Sequence, residues 1–385
     1  MKIVCASSVL FGREAFQTLG ETVVLPDSAI RASDLKDVDA LIVRSKTPIK
    51  EALLENTKVC FVGTATAGTD HMDLDYLDHM MIAWCAAPGC NANSVSEYVT
   101  SALLCLVQRH GLELAGRKIG VVGLGQVGSR VLVKAEALGM KALRNDPPLQ
   151  LVTKDPEFLP LEYLLQDSDI ITLHVPLATK GPFPTWHMAD CRFFARMKPG
   201  CIFINASRGE CVVSDDLLHA MEHGVVARAI MDVWENEPSI PVELLKKADL
   251  GTPHIAGYSF EGRLNGTLEV YRQACHFFEV EPTWNPEVDE SLFPKAPQVT
   301  IDARGKSDEA VLWELVRKVY NIEADDQALR SGPLDDENAF GKHFENLRKS
   351  YAARREFSAV QVKLLNEDPE LLEKAASLGF RIAAF

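Results

Sequence analysis

Ile119-Gly120-Val121-Val122-Gly123-Leu124-Gly125-Gln126-Val127-Gly128 is the stretch on which the fold turns. A short apolar run ends in a G-x-G-x-x-G sequence, and an amphipathic helical pattern over 127–138 follows it. A strand that turns tightly into a helix brings unsatisfied N–H groups and the positive end of the helix dipole to the turn. Gly123 permits the turn, Gly125 lets a phosphate approach the backbone, and Gly128 lets the helix pack on the strand. This is the arrangement of a dinucleotide site. Asp146 stands eighteen residues after Gly128, at the end of the next predicted strand, Lys141–Asn145. A carboxylate there accepts hydrogen bonds from a ribose and repels the extra phosphate of NADP, so NAD is the expected cofactor. The plainer reading, a structural turn with a surface aspartate, does not require all these elements in register.

The same rhythm extends in both directions. Before the loop, Lys2–Ala6, Ala40–Val43, 60–63 and 81–85 read as buried strands separated by polar or glycine-rich turns. A long helix is expected over 95–110, with Val95, Val99, Ala102, Leu103 and Leu106 on one face. Ser94 reads as its N-cap, and Glu97 completes a capping-box pattern. After the loop, strands are expected at Lys118–Val122, Lys141–Asn145, Ile170–Leu173, Cys201–Asn205 and 227–231, with a helix at 215–223 among those between them. Strands alternating with helices predict α/β architecture with parallel sheets. A helical pattern runs from Ser259 towards Val280 and is broken by Glu281-Pro282-Thr283-Trp284-Asn285-Pro286. The last hundred residues read as a small separate α+β unit, with helices at 308–320 and 340–355 and strands at 358–364 and 380–384. Trp313, Leu315, Val316, Val360, Val362 and Leu364 give that unit an apolar face that must be buried somewhere, and a two-fold interface is the default expectation.

Composition excludes several classes of function. The 385 residues carry a formal charge of −14, so a nucleic-acid or anionic-membrane partner is not expected. An anionic substrate would have to be gathered by local cations. No stretch of eighteen or more apolar residues occurs, and the first residues, Met1-Lys2-Ile3-Val4-Cys5-Ala6, do not read as a signal peptide. The nine cysteines are scattered without a Cys-x-x-Cys pair. They read as free buried thiols of a cytoplasmic protein, with no metal site.

Three polar segments follow predicted strands, where α/β sheets bind ligands. They are Asn205-Ala206-Ser207-Arg208-Gly209, Asp232-Val233-Trp234-Glu235-Asn236-Glu237-Pro238, and Thr252-Pro253-His254-Ile255-Ala256-Gly257-Tyr258. Taken singly, each has a structural explanation: a capping arginine, a solvated acidic loop, a structural histidine. Together they supply one reaction. Exchange of hydride at the carbon beside a carboxylate needs a proton donor and acceptor, which suits His254. A carboxylate must orient and charge that imidazole, which suits Glu237. A guanidinium must hold the substrate carboxylate and polarise the carbonyl, which suits Arg208.

The order Gly-loop, Asp146, Asn-x-x-Arg-Gly, Asp-Val-x-x-x-Glu-Pro, Thr-Pro-His resembles the D-2-hydroxyacid dehydrogenase family. Asp146-Pro147-Pro148, His174-Val175-Pro176-Leu177 with Gly181-Pro182, and Tyr351-Ala352-Ala353-Arg354-Arg355-Glu356-Phe357-Ser358 extend the likeness over essentially the whole chain. The resemblance implies two doubly wound, Rossmann-like lobes with a central cleft, plus a small C-terminal α+β dimerisation domain. In that scheme 1–92, completed by 258–284, is the substrate-binding lobe, 93–257 binds NAD, and 285–385 makes the homodimer. It also implies a small phosphorylated hydroxy acid as substrate. Arg208, Glu237 and His254 fall at catalytic positions. Gly123, Gly125, Gln126, Val127, Gly128, Asp146, Val175, Ala206, Ser207, Arg208, Asp232 and Gly257 fall at cofactor positions, and Ser45, Thr66 and Tyr258 at substrate positions. Arg44, Ser45 and Lys46 form a cluster suited to a phosphate. Val175 departs from the family, which often has threonine there; a backbone contact survives that change and a hydroxyl contact does not. Two other readings stay open: a dehydrogenase for another hydroxy acid such as phosphoglycerate, and a non-catalytic NAD(H)-sensing protein on the same fold.

Overall fold

A computed structural model describes residues 1–286, 293–352 and 354–383. Ala353 of the tail segment and Ala384 of the expected last strand lie outside the described residues. The chain divides into two compact units, 1–91 with 259–295, and 92–258 with 296–385.

The first unit is a five-stranded parallel sheet of β1 (Lys2–Ala6), β2 (Glu21–Leu25), β3 (Ala40–Val43), β4 (Phe61–Thr64) and β5 (Ala83–Cys85), in the order β2-β1-β3-β4-β5. The edge strand β2 was not foreseen. It sits at a partly solvated edge and lacks the continuous apolar run by which buried parallel strands are recognised. The helix Phe260–Phe277 returns to close this core with Val270, Tyr271, Ala274 and Cys275. A Cβ on Gly63 would lie 2.3 Å from Val270 Cγ1, so a glycine in β4 is what lets this helix lie on the sheet. Beyond the break, the Tyr271 hydroxyl accepts from the backbone N–H groups of Thr283 and Trp284 and pins them to the same unit.

The second unit holds a six-stranded parallel sheet, β6 (Lys118–Val122), β7 (Lys141–Asn145), β8 (Ile170–Leu173), β9 (Cys201–Asn205), β10 (Val226–Met231) and β11 (Leu250–Gly251). Its order, β11-β10-β9-β8-β6-β7, reverses direction at β6. The switch point of such a sheet, at the carboxyl ends of its strands, is where ligands bind, and the glycine loop leaves β6 there. A third sheet, β12 (Gln298–Asp302), β13 (Gln361–Leu365) and β14 (Arg381–Ile382), is also parallel.

Residues 296–385 share one hydrophobic core with the helix Ala92–His110 and the glycine-loop helix. Val299, Leu315, Val316, Val362 and Leu364 are buried there with Val99, Leu103, Leu106 and Ala135. The apolar face ascribed to an interface is therefore covered within the chain.

The capping box does not form either. The helix begins at Ala92, and Ser94 and Glu97 lie buried inside it. The Glu97 carboxylate accepts from Arg354 Nη1 (2.8 Å), Phe357 N (2.8 Å) and Asn93 Nδ2 (2.9 Å). The Ser94 hydroxyl donates to Glu356. Long-range partners outcompete the local turn because a buried carboxylate needs several donors, and Arg354 brings a charge.

The cysteines are all free, but Cys60 and Cys191 are exposed. Burial pushes the thiols of Cys5, Cys105 and Cys201 up to about 12. No helix of the described residues is long and apolar enough to cross a membrane.

Candidate active site

The three glycines of the loop do three different things. Gly123 has φ 89°, and a Cβ on it would lie 2.7 Å from the His174 carbonyl oxygen and 2.9 Å from Val175 Cγ1. A Cβ on Gly128 would meet the Gly123 carbonyl oxygen at 1.9 Å, so the helix starts as close to the turn as backbone allows. Gly125, the residue before the helix Gln126–Ala137, has nothing within 4 Å of the same position. Its open side is the approach that a diphosphate requires, and the residues fit a dinucleotide. Arg130, unnoticed in the sequence, donates from Nη1 to the Gln126 carbonyl at 2.6 Å and adds a cation to the start of the helix.

Asp146 has two backbone partners of its own. Its Oδ2 accepts from Leu124 N (2.8 Å) and its Oδ1 from Leu149 N (2.9 Å). It thus fastens the glycine loop and caps the helix Pro147–Thr153. A carboxylate has about four acceptor positions, so both oxygens keep capacity for ribose hydroxyls. Val175 packs against Gly123 through its side chain.

The three chemical segments leave adjacent strands at one level. Met231 of β10 pairs with Asn205 of β9 and with Gly251 of β11. Asn205 shapes the first loop: its Nδ2 donates to the Arg208 carbonyl, and its Oδ1 accepts from the N–H and hydroxyl of Ser207. Arg208 Nη1 donates to the Ser207 carbonyl at 2.8 Å, which commits one of five donors. A Cβ on Gly209 would strike the Trp234 carbonyl at 1.9 Å, so glycine after the arginine lets the first two loops touch.

The acidic segment separates into three roles. Asp232 is buried and accepts from Thr252 Oγ1 (2.7 Å), Ile255 N (2.8 Å) and Ala256 N (3.0 Å). Burial raises its pKa against the pull of His254 and of those donors. Most of its acceptor capacity therefore builds the histidine loop. Glu235 binds His187 Nε2 and Ser214 N. Glu237 Oε1 accepts from Trp234 N at 3.0 Å, and its Oε2 lies 2.8 Å from His254 Nδ1. Burial would raise the pKa of Glu237, but the neighbouring His254 and Arg348 outweigh it and hold the carboxyl below its usual value.

His254 adopts φ 54°, with its N–H on the Asp232 carbonyl at 2.7 Å. The left-handed backbone is imposed by the loop, whose next two N–H groups both converge on the Asp232 carboxylate. With Nδ1 on Glu237, Nε2 is the ring nitrogen that this contact leaves for another partner.

Tyr258 rests its ring against Tyr351 at 5.8 Å, edge to face. In the first unit, Ser45 is exposed just beyond β3, and Thr66 follows β4 with its hydroxyl donating to the Gly68 carbonyl. Arg44 and Lys46 flank Ser45 after β3. Among the described residues, no group of three or more His, Cys, Asp or Glu side chains is arranged to hold a metal ion.

A glycine loop at the switch point of a parallel sheet, with an imidazole–carboxylate pair and an arginine at neighbouring strand ends, defines an NAD-dependent dehydrogenase of 2-hydroxy acids. Residues 101–256 match the family described as D-isomer specific 2-hydroxyacid dehydrogenase, NAD binding domain, and 292–379 match one described as a domain of unknown function. The erythronate-4-phosphate dehydrogenase of Cronobacter sakazakii is 42% identical over 99% of this chain and 98% of its own. That of Escherichia coli O127:H6 is 41% identical over the same shares. Among solved structures, the NAD-bound 3-phosphoglycerate dehydrogenase of Entamoeba histolytica is similar, with a TM-score of 0.64 at 25% identity over 74% of this chain and 98% of that one. The D-lactate dehydrogenase of Aquifex aeolicus, complexed with NAD and lactic acid, is also similar, with a TM-score of 0.60 at 26% identity over 72% and 95%. The chain belongs to the D-isomer specific 2-hydroxyacid dehydrogenase family, and NAD is its cofactor.

Proposed function

We propose that this enzyme oxidises 4-phospho-D-erythronate to 2-oxo-3-hydroxy-4-phosphobutanoate, a step in the biosynthesis of pyridoxal 5'-phosphate. The observation that carries the chemistry is the 2.8 Å contact between His254 and Glu237, level with Arg208 along the strand ends. The substrate rests on likeness to erythronate-4-phosphate dehydrogenases along 99% of the chain.

Bound NAD supplies the hydride acceptor. Gly123, Gly125, Gln126, Val127 and Gly128 hold its diphosphate and Asp146 its ribose; Val175, Ala206, Ser207, Arg208, Asp232 and Gly257 complete its surroundings. Arg208 directs donors at the substrate carboxylate and C2 oxygen. His254 takes the C2 hydroxyl proton on Nε2, and Glu237 stabilises the imidazolium that results. Ser45, Thr66 and Tyr258 are the proposed substrate contacts, with Arg44 and Lys46 beside Ser45 as cations for the phosphate. The protein works in the cytoplasm as a homodimer through its C-terminal residues.

The test is nicotinamide absorbance with purified protein, NAD and 4-phospho-D-erythronate, with 3-phosphoglycerate as the competing substrate. The expected outcome is faster oxidation of the erythronate. A preference for 3-phosphoglycerate overturns the substrate assignment, and inactivity with every hydroxy acid favours an NAD(H)-binding protein. His254→Ala should lose ~10² to 10⁴-fold of turnover and keep NADH binding.

A further inference from the structure

The helix Glu337–Ser350 lies against the catalytic loop. Phe340 and Phe344 join the core that contains Trp234, and a Cβ on Gly341 would sit 3.6 Å from the Pro238 carbonyl oxygen. One turn beyond Phe344, Arg348 directs Nη1 to within 4.0 Å of Glu237 Oε2, the oxygen that His254 Nδ1 approaches at 2.8 Å. Its guanidinium carbon lies 6.0 Å from the Phe344 ring centre, and its buried Nε has no hydrogen-bond partner among the described residues. One carboxylate oxygen thus faces an imidazole and a guanidinium, and only the imidazole exchanges protons near neutral pH.

We propose that Arg348 is a positioning residue for the reaction, holding Glu237 and making the His254 imidazolium a stronger acid than the Glu237 contact alone would leave it. The need follows from the direction of the chemistry. Oxidation of a hydroxy acid requires neutral imidazole to accept the hydroxyl proton. A carboxylate 2.8 Å from Nδ1 favours the imidazolium over the neutral ring that this step needs. A fixed second cation on the same oxygen opposes that charge while leaving the carboxylate ionised and oriented. Among the described residues, the groups bearing on His254 include Glu237 at its Nδ1, Asp232, whose carbonyl accepts the His254 N–H, and Arg348 through the shared oxygen. Only Arg348 can be changed without removing a group already assigned to the chemistry or to the loop.

This inference rests on His254 being the acid–base group, and two measurements separate the two claims. Near-normal turnover in His254→Ala removes the foundation. If that variant is inactive, the pH profile of kcat/KM for 4-phospho-D-erythronate oxidation tests Arg348 itself. In Arg348→Gln and Arg348→Met the acidic limb should move to higher pH by about 0.5–1 unit. That corresponds to a roughly 3- to 10-fold loss below the limb and recovery above it. Arg348→Met keeps the aliphatic stem on Phe344, and melting curves with NADH fluorescence verify that each variant is folded. Arg348→Lys, which retains the charge, should keep the limb within about 0.3 unit of wild type. A limb that stays put or moves to lower pH in the uncharged variants, or a loss uniform across pH, overturns the proposal. So does a limb displaced in Arg348→Lys as far as in Arg348→Gln.

Discussion

Among single residues, the site works by sharing out a few carboxylate oxygens. Glu237 divides its oxygens between the Trp234 backbone and His254, so substitution there reads out on the imidazole. Glu237→Gln removes the charge that favours the imidazolium and leaves Arg348 unopposed. For reduction of a 2-oxo acid, which needs protonated His254, activity should fall off at a pH lower by about 1 unit or more. Stopped-flow or steady-state profiles decide it, and an unmoved limb would separate Glu237 from the imidazole. Asp146 carries two duties, and one substitution should show both. Asp146→Ala is expected to narrow the preference for NAD over NADP, because the ribose acceptor and the repulsion of a 2'-phosphate vanish together. It should also cost about 1 kcal/mol of stability from the lost cap on Leu149. Coenzyme kinetics alongside a melting curve check the pair; unchanged discrimination would hand the ribose to another residue.

Among the elements, the helix Ala92–His110 joins the NAD sheet to the tail. Its buried Glu97 meets Arg354, whose guanidinium also stacks 4.3 Å from the centre of the Tyr320 ring and donates to the Ser94 carbonyl. Beside this network, Asp325 on the helix Ile322–Arg330 accepts from the Tyr351 hydroxyl at 2.9 Å. Burial pushes the Asp325 carboxyl up to about 6 from an ordinary 3.8. A folded-state pKa above the unfolded one gives stability that is full below about 3.8 and lost as pH rises through about 6. Asp325→Asn removes that dependence. Relative to this variant, wild type should lose roughly 2–3 kcal/mol between pH 4 and pH 8. Urea denaturation at both pH values measures it, and a constant difference between the two proteins would mean that Asp325 stays ionised.

For the molecule as a whole, the tail belongs to the core of the second unit before it belongs to any interface. Leu315, Val316, Val362 and Leu364 share that core with the helix Ala92–His110, so the proposed dimer would use other surface. Truncation after Asn285 should therefore uncover the apolar face of that helix and give an aggregating protein, whereas the full chain should scatter light as a dimer. A well-folded truncated protein with an unchanged melting temperature would deny the tail its part in the core. A monomeric full-length protein would deny the dimer.

The amino-acid sequence was enough for the class of fold and the glycine loop, and it singled out the segments that hold Arg208, Glu237 and His254. These are signalled locally: strand periodicity, a glycine spacing tied to backbone geometry, and polar residues placed just after apolar runs. The strand limits shifted by up to three residues, and β2, β11 and β12 escaped notice, β2 at a partly solvated edge and β11 with only two residues to carry a period. Folding in three dimensions gave Asp232, Glu235 and Glu237, which are chemically alike, their separate partners, since different donors reach each of them. It also moved Glu97 from a helix cap to a buried ion pair, and Arg348 from the polar side of a distant helix to the Glu237 carboxylate. For Glu97 and Arg348 the deciding partner lies more than a hundred residues away in the chain, at Arg354 and Glu237. Local pattern encodes a residue's own backbone, whereas charge and hydrogen bonding depend on what the fold brings within a few ångströms.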